Sequence, residues 1–518
     1  MDRIELTAAA QIERSKLQRH FRRYDIFFFL VCTIVGVDTI ASVAASGGEA
    51  FTWLVIFGVV FFVPQAMIFA ELGTAFPQEG GEYLWTRMAF GHLAGAVNNF
   101  YYWVTNPVWI GGTLAISAVT AVAVFFDGGR SSLPPVAFYV VGLVFVWATV
   151  LGAIMSFSYG KWLPTAGAFA RFLLLGLFSV SVIIYAAEHG LHGLGVGSYR
   201  PTGTGFVALI GVLLFNYVGS ELPSAAGEEM TNPRRDVPFA IFRSALLSFV
   251  LYALPILGIL VVLPASSVSN FGGFVDAIHA VFTVYGGSVH AGVSHLAGAG
   301  AVLGAVAAIL FIVCVMTSGA TWIMGSDRSL AVSGYDGAGP RSLGVISERL
   351  GTPVRVNVLS GIVSTVVLVL AHQITNGSAA KYFSAVLGVT ISTTLISYLL
   401  IYPALWKLRV DRPDAPRPWR MPAARPLTVL VMGLLVISVL QLVAPGAPFN
   451  WFGADFRPSG WTYGQRGTYL LTEAIPLLIF GFVGFCFYLA GARTRAEVVE
   501  VPADPDDEGF GTLAPEAG

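Results

Sequence analysis

The chain has 518 residues, 55% of them hydrophobic and 11% charged, where soluble globular proteins carry about 25% charged residues, and this excludes an ordinary soluble enzyme. Lys plus Arg (29) balances Asp plus Glu (30) to a formal charge of −1, so nothing in the charge points to nucleic acid or another polyanion as partner. Crossing a hydrocarbon core of ~30 Å takes about 20 apolar residues as helix, and roughly twelve stretches approach that length. In chain order they are Ile26 to Ala45, Thr52 to Ala75, His92 to Phe126, Leu133 to Phe157, Trp162 to Ala187, Gly205 to Ala226, Ala245 to Leu263, Val302 to Met324, Val356 to Ala371, Tyr382 to Leu405, Leu427 to Val443 and Tyr469 to Leu489. They lack the alternation of barrel strands and are too long for them, so the chain is expected to be an all-α integral membrane protein.

The polar segment Met1 to Arg23 carries Arg14, Lys16, Arg19, Arg22 and Arg23 just before the first span and has no cleavage-site pattern, so it reads as a retained tail. Alternate loops counted from that tail hold 23 Lys and Arg residues, and the opposite loops hold five: Arg130, Arg200, Lys381, Arg457 and Arg466. The positive-inside rule then places both termini in the cytoplasm of a multi-pass cell-membrane protein. From Glu497 onward the run of Pro, Asp, Glu and Gly reads as a disordered, solvated tail. Cys32, Cys314 and Cys486 sit in apolar runs without metal-ligand spacing and read as small buried hydrophobes.

Ionisable groups inside a span mark function by default. Asp38 lies in the first span, Arg171 in the fifth and Glu221 in the sixth, whereas Glu71 and the Glu228-Glu229 pair sit at span ends and read as solvated. The first and sixth spans also carry Gly-flanked polar interruptions at mid-depth, Val35-Gly36-Val37-Asp38-Thr39 and Phe215-Asn216-Tyr217-Val218-Gly219-Ser220-Glu221. Paired interruptions in two halves point to a transporter site built from broken helices, whose freed N–H and C=O groups meet a ligand's charges. Close helix packing at Gly36 and Gly219 is the plainer alternative.

Catalytic chemistry finds little support. Gly160-Lys161 is followed by Trp162, with Met155 where a phosphate loop needs Gly, and His189, His192, His279, His290 and His295 lie in loops without metal spacing. They read as solvated loop histidines. No catalytic residue, metal or cofactor is therefore expected, and the partners are a small-molecule substrate and the lipid bilayer.

Four stretches carry a family likeness. They are the interrupted first span; Ala70 to Pro77 with Gly80-Gly81-Glu82-Tyr83 and Ala89-Phe90-Gly91; Phe215 to Glu221 with Ala226 to Glu229 and Asn232 to Pro238; and Ser326 to Ala331 with Gly339-Pro340 and Gly351 to Val354. Over roughly residues 20 to 490 the chain resembles the amino acid, polyamine and organocation permeases, secondary transporters with the LeuT-like five-plus-five inverted repeat. The resemblance implies a tail (1–23), a first repeat (24–187), a second repeat (204–408), two peripheral helices (426–491) and a C-terminal tail (492–518). It implies alternating access for amino acids or related amines, with Gly36, Val37, Asp38 and Thr39 facing a carboxylate, and Phe215, Asn216, Tyr217, Val218 and Gly219 facing an amine.

Asp38 departs from the family's Gly-small-Gly pattern, repelling a carboxylate and attracting a cation, as in the plant-type polyamine permeases that the first span resembles. Arg171 falls near a fifth-span Lys of proton-coupled members, but an Arg keeps its proton. It is expected as a fixed charge in a sodium-like site, paired with Asp38 or with carbonyls. Thr317 and Ser318 of the eighth span are candidates to approach an ion-like site beside the first span, although helix-interior hydroxyls more often bond their own backbone. Pairing with Asp38 leaves a zwitterionic substrate open, whereas an unpaired Asp38 favours an amine or polyamine and is a carrier for a coupled proton. Sodium coupling and a potassium transporter or channel stay open as alternatives. Asn98, Asn99, Tyr102 and Asn106 recur at helical spacing and are candidates for a cavity face, with helix packing through side-chain hydrogen bonds as the alternative, and Tyr382 or Phe383 for an outer gate.

Overall fold

A computed structural model describes residues 3–17, 21–129, 133–156, 162–191, 195–263, 273–290, 293–375 and 378–502. Arg19, Arg130, the Gly160-Lys161 pair, His192 and the end of the tail from residue 503 lie outside the described residues. Apolar runs in lipid satisfy their backbone only within a helix, and ten helices among the described residues are long and apolar enough to cross a membrane. The first and sixth spans are missing from that number because each is broken at mid-depth.

The first span consists of Arg23–Ile34 and Ile40–Ala45, separated by the non-helical stretch around Gly36. The sixth runs as Gly203–Phe215, unwinds through Gly219, and resumes as the 3-10 turn Leu222–Glu229. With the ten continuous spans these two restore the expected dozen. Several continuous helices outrun their apolar cores: the seventh is Pro233–Val262, the eighth Gly298–Tyr335 and the tenth Ala379–Asp411. Their added turns carry charges such as Asp236, Arg328 and Arg409, which hydropathy alone places outside the membrane.

The second span passes from Gly48–Phe57 through a π turn at Gly58–Phe62 into Val63–Ala75. An amphipathic segment from Gly81 leads into the third span through Gly91, whose φ of 84° breaks the helix at a residue that tolerates it. The third span then holds a π turn at Ile110–Leu114 before continuing as Ala115–Phe126. The first span packs against the fifth, seventh and eighth, and the third against the eighth and tenth, so both breaks lie inside the bundle.

Five expectations change. Glu71 is buried, not solvated: Arg409 donates to it through Nε at 2.7 Å and Nη2 at 2.5 Å, and the Met421 N–H at 2.7 Å. Glu229 is likewise buried, against Arg328 at 2.9 Å. Cys486 is exposed while Cys32 and Cys314 are buried, and His279 is half-buried on the helix Gly273–Val281 with its ring 5.4 Å from Phe125. The tail after the twelfth span is ordered at its start, with a short helix at Ala492–Ala496 and a strand at Val498–Pro502 paired antiparallel to Arg3–Thr7. A backbone pairing partner, absent from composition, explains that order.

Candidate functional site

The break in the first span is held open by its neighbours. Tyr252 of the seventh span accepts the Gly36 N–H at 2.7 Å and donates to the Ile34 carbonyl at 2.8 Å, bridging two backbone groups that a continuous helix would pair elsewhere. Thr39 donates to the Gly36 carbonyl at 3.2 Å. Asp38 is 3% exposed. Its Oδ2 accepts the indole N–H of Trp109 at 3.1 Å, and its Oδ1 has no partner among the described residues.

Arg171 is fully buried and takes no part in neutralising that acid through a hydrogen bond. Its Nε donates to the Val35 carbonyl at 2.9 Å, Nη1 to the Gly167 carbonyl at 2.8 Å and to Thr317 at 3.1 Å, and Nη2 to the Cys314 carbonyl at 2.8 Å and to Ser318. A guanidinium has five N–H donors, and all five meet neutral oxygens of the first, fifth and eighth spans. Of the two pairings expected for Arg171, the structure places it on carbonyls, with Thr317 and Ser318 beside it.

The sixth-span break is fixed by Gly219, whose φ of 110° suits glycine, and whose N–H donates to the Tyr398 hydroxyl at 3.2 Å. Glu221 is fully buried, its Oε1 accepting from Tyr102 at 2.9 Å and its Oε2 unpartnered among the described residues. Asn106 and Asn216 are also buried with both side-chain polar atoms unpartnered. Buried polar groups are normally satisfied, so such a set around two helix breaks is a candidate ligand site.

Aromatic rings connect the two acids. Trp109 packs edge-on to Phe215 at 6.1 Å and to Trp322 at 6.2 Å, and Trp322 lies 6.3 Å from Tyr102. Neither Trp109 nor Trp322 stands out in the sequence, although a Trp at mid-span, away from the interfacial belt where Trp is common, is a usable signal. Tyr252, Tyr398 and Gln65 were also passed over: Gln65 donates to the Tyr217 carbonyl and accepts from Tyr402 at 2.6 Å.

Other expected site residues go elsewhere. Asn98 donates to Thr86 at 3.3 Å and Asn99 to the Ser329 carbonyl at 3.1 Å, so both hold helices together. The bend at Gly91 turns Thr86 back onto Asn98, which helical spacing does not foresee. Tyr217 points to the second span, donating to the Leu54 carbonyl at 2.7 Å and stacking on Phe62 at 4.8 Å. Val37 and Val218 are buried. Tyr382 donates to the Gly111 carbonyl at 2.6 Å and fastens the tenth span to the third, whereas Phe383 lines a cleft at the end of the bundle away from the tails. The buried acid Glu473 of the twelfth span was missed, although it falls inside the expected stretch and obeys the same rule as Asp38.

The tail-side end is closed by charge. Arg328 donates to Glu79 at 2.7 Å and Glu229 at 2.9 Å, Arg14 reaches Glu228 at 2.9 Å, and Phe21 exchanges backbone bonds with Glu229 at 2.8 Å and Thr231 at 3.0 Å.

A sequence profile described as "Amino acid permease" matches residues 21–463. The chain belongs to the amino acid permease family. It is therefore a multi-pass membrane transporter of amino acids or amines. Among curated proteins, it is 25% identical to a probable agmatine/putrescine antiporter of Lactococcus lactis subsp. lactis, covering 89% of this chain and 91% of that one. It is 27% identical to an uncharacterized transporter of Legionella pneumophila, covering 82% and 89%. A glutamate/gamma-aminobutyrate antiporter of Lactococcus lactis subsp. lactis is 20% identical over 94% and 93%.

Proposed function

We propose that this permease carries amines with two cationic groups, held between Asp38 and Glu221, and exchanges them by alternating access. The observation that carries the reading is that Arg171 spends all five donors on neutral oxygens, leaving one oxygen of each acid free. Three further features favour a cation. The half-helices Arg23–Ile34 and Gly203–Phe215 both end at the site, and helix C-termini carry partial negative charge. The four rings offer faces to an ammonium or guanidinium, worth ~0.5–2 kcal/mol each where one is engaged. The Gly36 amide, the family-type carboxylate receptor, is already taken by Tyr252. The 25% identical relative named for agmatine and putrescine agrees in substrate class.

Arg171 occupies a nest of carbonyl and hydroxyl oxygens of the kind that binds hard cations, and we infer that exchange needs no sodium. The same reading takes residues 24–187 and 204–408 as the two repeats and places both termini in the cytoplasm of the cell membrane. The test is exchange in proteoliposomes loaded with putrescine, agmatine or a zwitterionic amino acid, with potassium as control. Exchange of the diamines that is lost in Asp38→Asn supports the reading. Exchange confined to zwitterions, or flux of potassium alone, refutes it.

A further inference from the structure

Two guanidinium groups from different spans meet at one aromatic ring on the tail side of the bundle. Arg243 of the seventh span lies over Phe239 with its Cζ 3.9 Å from the ring centroid, and Arg23 at the start of the first span lies 4.8 Å from the same centroid. Tyr24, which is exposed, packs edge-on to that ring at 6.0 Å. Arg23 also pairs with Asp236 at 3.1 Å. Arg243 is exposed and pairs with no acid among the described residues. Two cations against one acid leave this spot net positive, and Arg235, exposed one turn before Phe239, adds to it.

Beyond Arg243 the seventh span stays exposed but turns apolar, through Leu246, Val250 and Leu254 at steps of three and four residues, which keeps them on one helix face. Arg243 stands immediately before the apolar stretch that begins at Ala245, and Arg23 shortly before the one that begins at Ile26. Both cations therefore sit at headgroup level. A basic, aromatic end continued by an apolar stripe matches a phospholipid: guanidinium groups suit phosphate through paired donors, and the stripe gives an acyl chain its lane. A soluble anion would have no use for the stripe.

We propose that the tail-side ends of the first and seventh spans hold an anionic phospholipid whose phosphate bridges Arg23 and Arg243. The lipid acts on transport by fastening the half-helix Arg23–Ile34 to the seventh span, against which it packs. Phe21, two residues earlier, is tied to Glu229 and Thr231 at the tail-side closure. A ligand that fastens this end of the first span binds the closed state better and raises its population. The proposal rests on alternating access and not on which amine or amino acid is carried.

The test is labelling of Ser224→Cys by an impermeant thiol reagent in a Cys486→Ser background, in nanodiscs of stated lipid. Ser224 is buried in the turn Leu222–Glu229, so its labelling reports tail-side opening. Labelling in phosphatidylcholine with phosphatidylglycerol is expected to be about fivefold slower than in phosphatidylcholine alone, the worth of one cation near an anionic surface. Arg243→Gln should remove most of that difference, and Arg243→Lys, which keeps the charge, should restore part of it. Arg355→Gln, which removes an exposed cation elsewhere on the tail side, should leave the difference intact. Equal losses in Arg243→Gln and Arg355→Gln would reduce the effect to general surface charge and overturn the site. So would labelling that ignores phosphatidylglycerol, or an Arg243→Lys variant no better than Arg243→Gln. Slowing to the same extent by inorganic phosphate in phosphatidylcholine would assign the site to a free anion and overturn the lipid.

A second measurement reads binding directly. Native mass spectrometry of the purified protein should show phosphatidylglycerol retained in preference to phosphatidylcholine, with one fewer molecule retained when Arg23→Gln and Arg243→Gln are combined. An unchanged number in that double variant overturns the proposal. Neither measurement contains putrescine, so failure of the amine reading leaves both standing.

Discussion

Trp109 donates its indole N–H to Asp38 Oδ2 at 3.1 Å, and each residue owes its position to a departure from regular helix. Asp38 sits in the unwound stretch of the first span, and Trp109 immediately precedes the π turn at Ile110–Leu114, a device often found at functional sites. The bond fixes one carboxylate oxygen and leaves Oδ1 without a partner among the described residues, while Phe215 packs edge-on 6.1 Å from Trp109.

Asp38→Asn keeps the shape and the Trp109 acceptor while removing the charge. Hydrogen bonds to charged groups contribute about 1.5–3 kcal/mol, so putrescine affinity should fall about 10- to 100-fold. Glu221→Gln should act similarly from the other end, keeping the Tyr102 contact at 2.9 Å. Calorimetric titration of purified protein with putrescine checks both, and wild-type affinity in the two variants removes these acids from the site.

Arg171→Met leaves the Val35, Gly167 and Cys314 carbonyls without their donor. Leaving a buried acceptor unsatisfied costs about 1–3 kcal/mol, so a marked drop in Tm is expected. Arg171→Lys should recover part of it, because an ammonium has three donors in place of five. Exchange by the wild-type protein should be the same in sodium and potassium media. Sodium-dependent exchange would show that Arg171 does not stand in the cation's place.

Gly219→Ala tests the sixth-span break. Its φ of 110° is hostile to a side chain, and a Cβ there would lie 2.6 Å from Thr33 Cγ2 and 2.9 Å from Trp322 Cζ2. Overpacking of this kind costs about 1–3 kcal/mol, and it displaces Trp322 from the ring cluster. The expected outcome is normal membrane insertion with putrescine binding weakened, read by titration. Full binding would show that the break adapts.

Asp38, Arg171, Glu221 and the two interruptions were legible because ionisable groups and paired breaks are rare in apolar spans. Glu473 was equally legible by that rule and was passed over near the start of its span. Trp109 and Trp322 were not, since in a chain with 11 Trp and 38 Phe an aromatic becomes a site residue only through neighbours on other helices. Asn98 and Asn106 share a helix and residue type, yet one is bonded to Thr86 and the other left unpaired in the site. That difference arises from the chain reversal at Gly91, a tertiary fact. Glu71 and Glu229 looked solvated because their cationic partners, Arg409 and Arg328, are remote in sequence.

The closure at the tail side should respond to pH. Glu79 lies in the loop between the second span and the amphipathic segment, and burial pushes its carboxyl up to about 8, with Arg328 opposing and the charges of Glu229 and Glu228 adding. In an opened state that exposes it to water, Glu79 should titrate near the ordinary 4.5 for Glu. The closed state then binds the proton more tightly, so closure is favoured most at low pH and loses that support as pH rises from about 4.5 through about 8. Above that range the loss is complete, because both states have released the proton. Ser224, buried in the turn Leu222–Glu229 that also carries Glu228 and Glu229, provides the reporter: a thiol in Ser224→Cys should label faster at pH 8.5 than at pH 6 on the tail side, after correction for thiol ionisation with an exposed control. Glu79→Gln keeps an acceptor for Arg328 and removes the titration, so its labelling rate should be flat across the same range. A pH dependence that persists in Glu79→Gln would assign the response to another group.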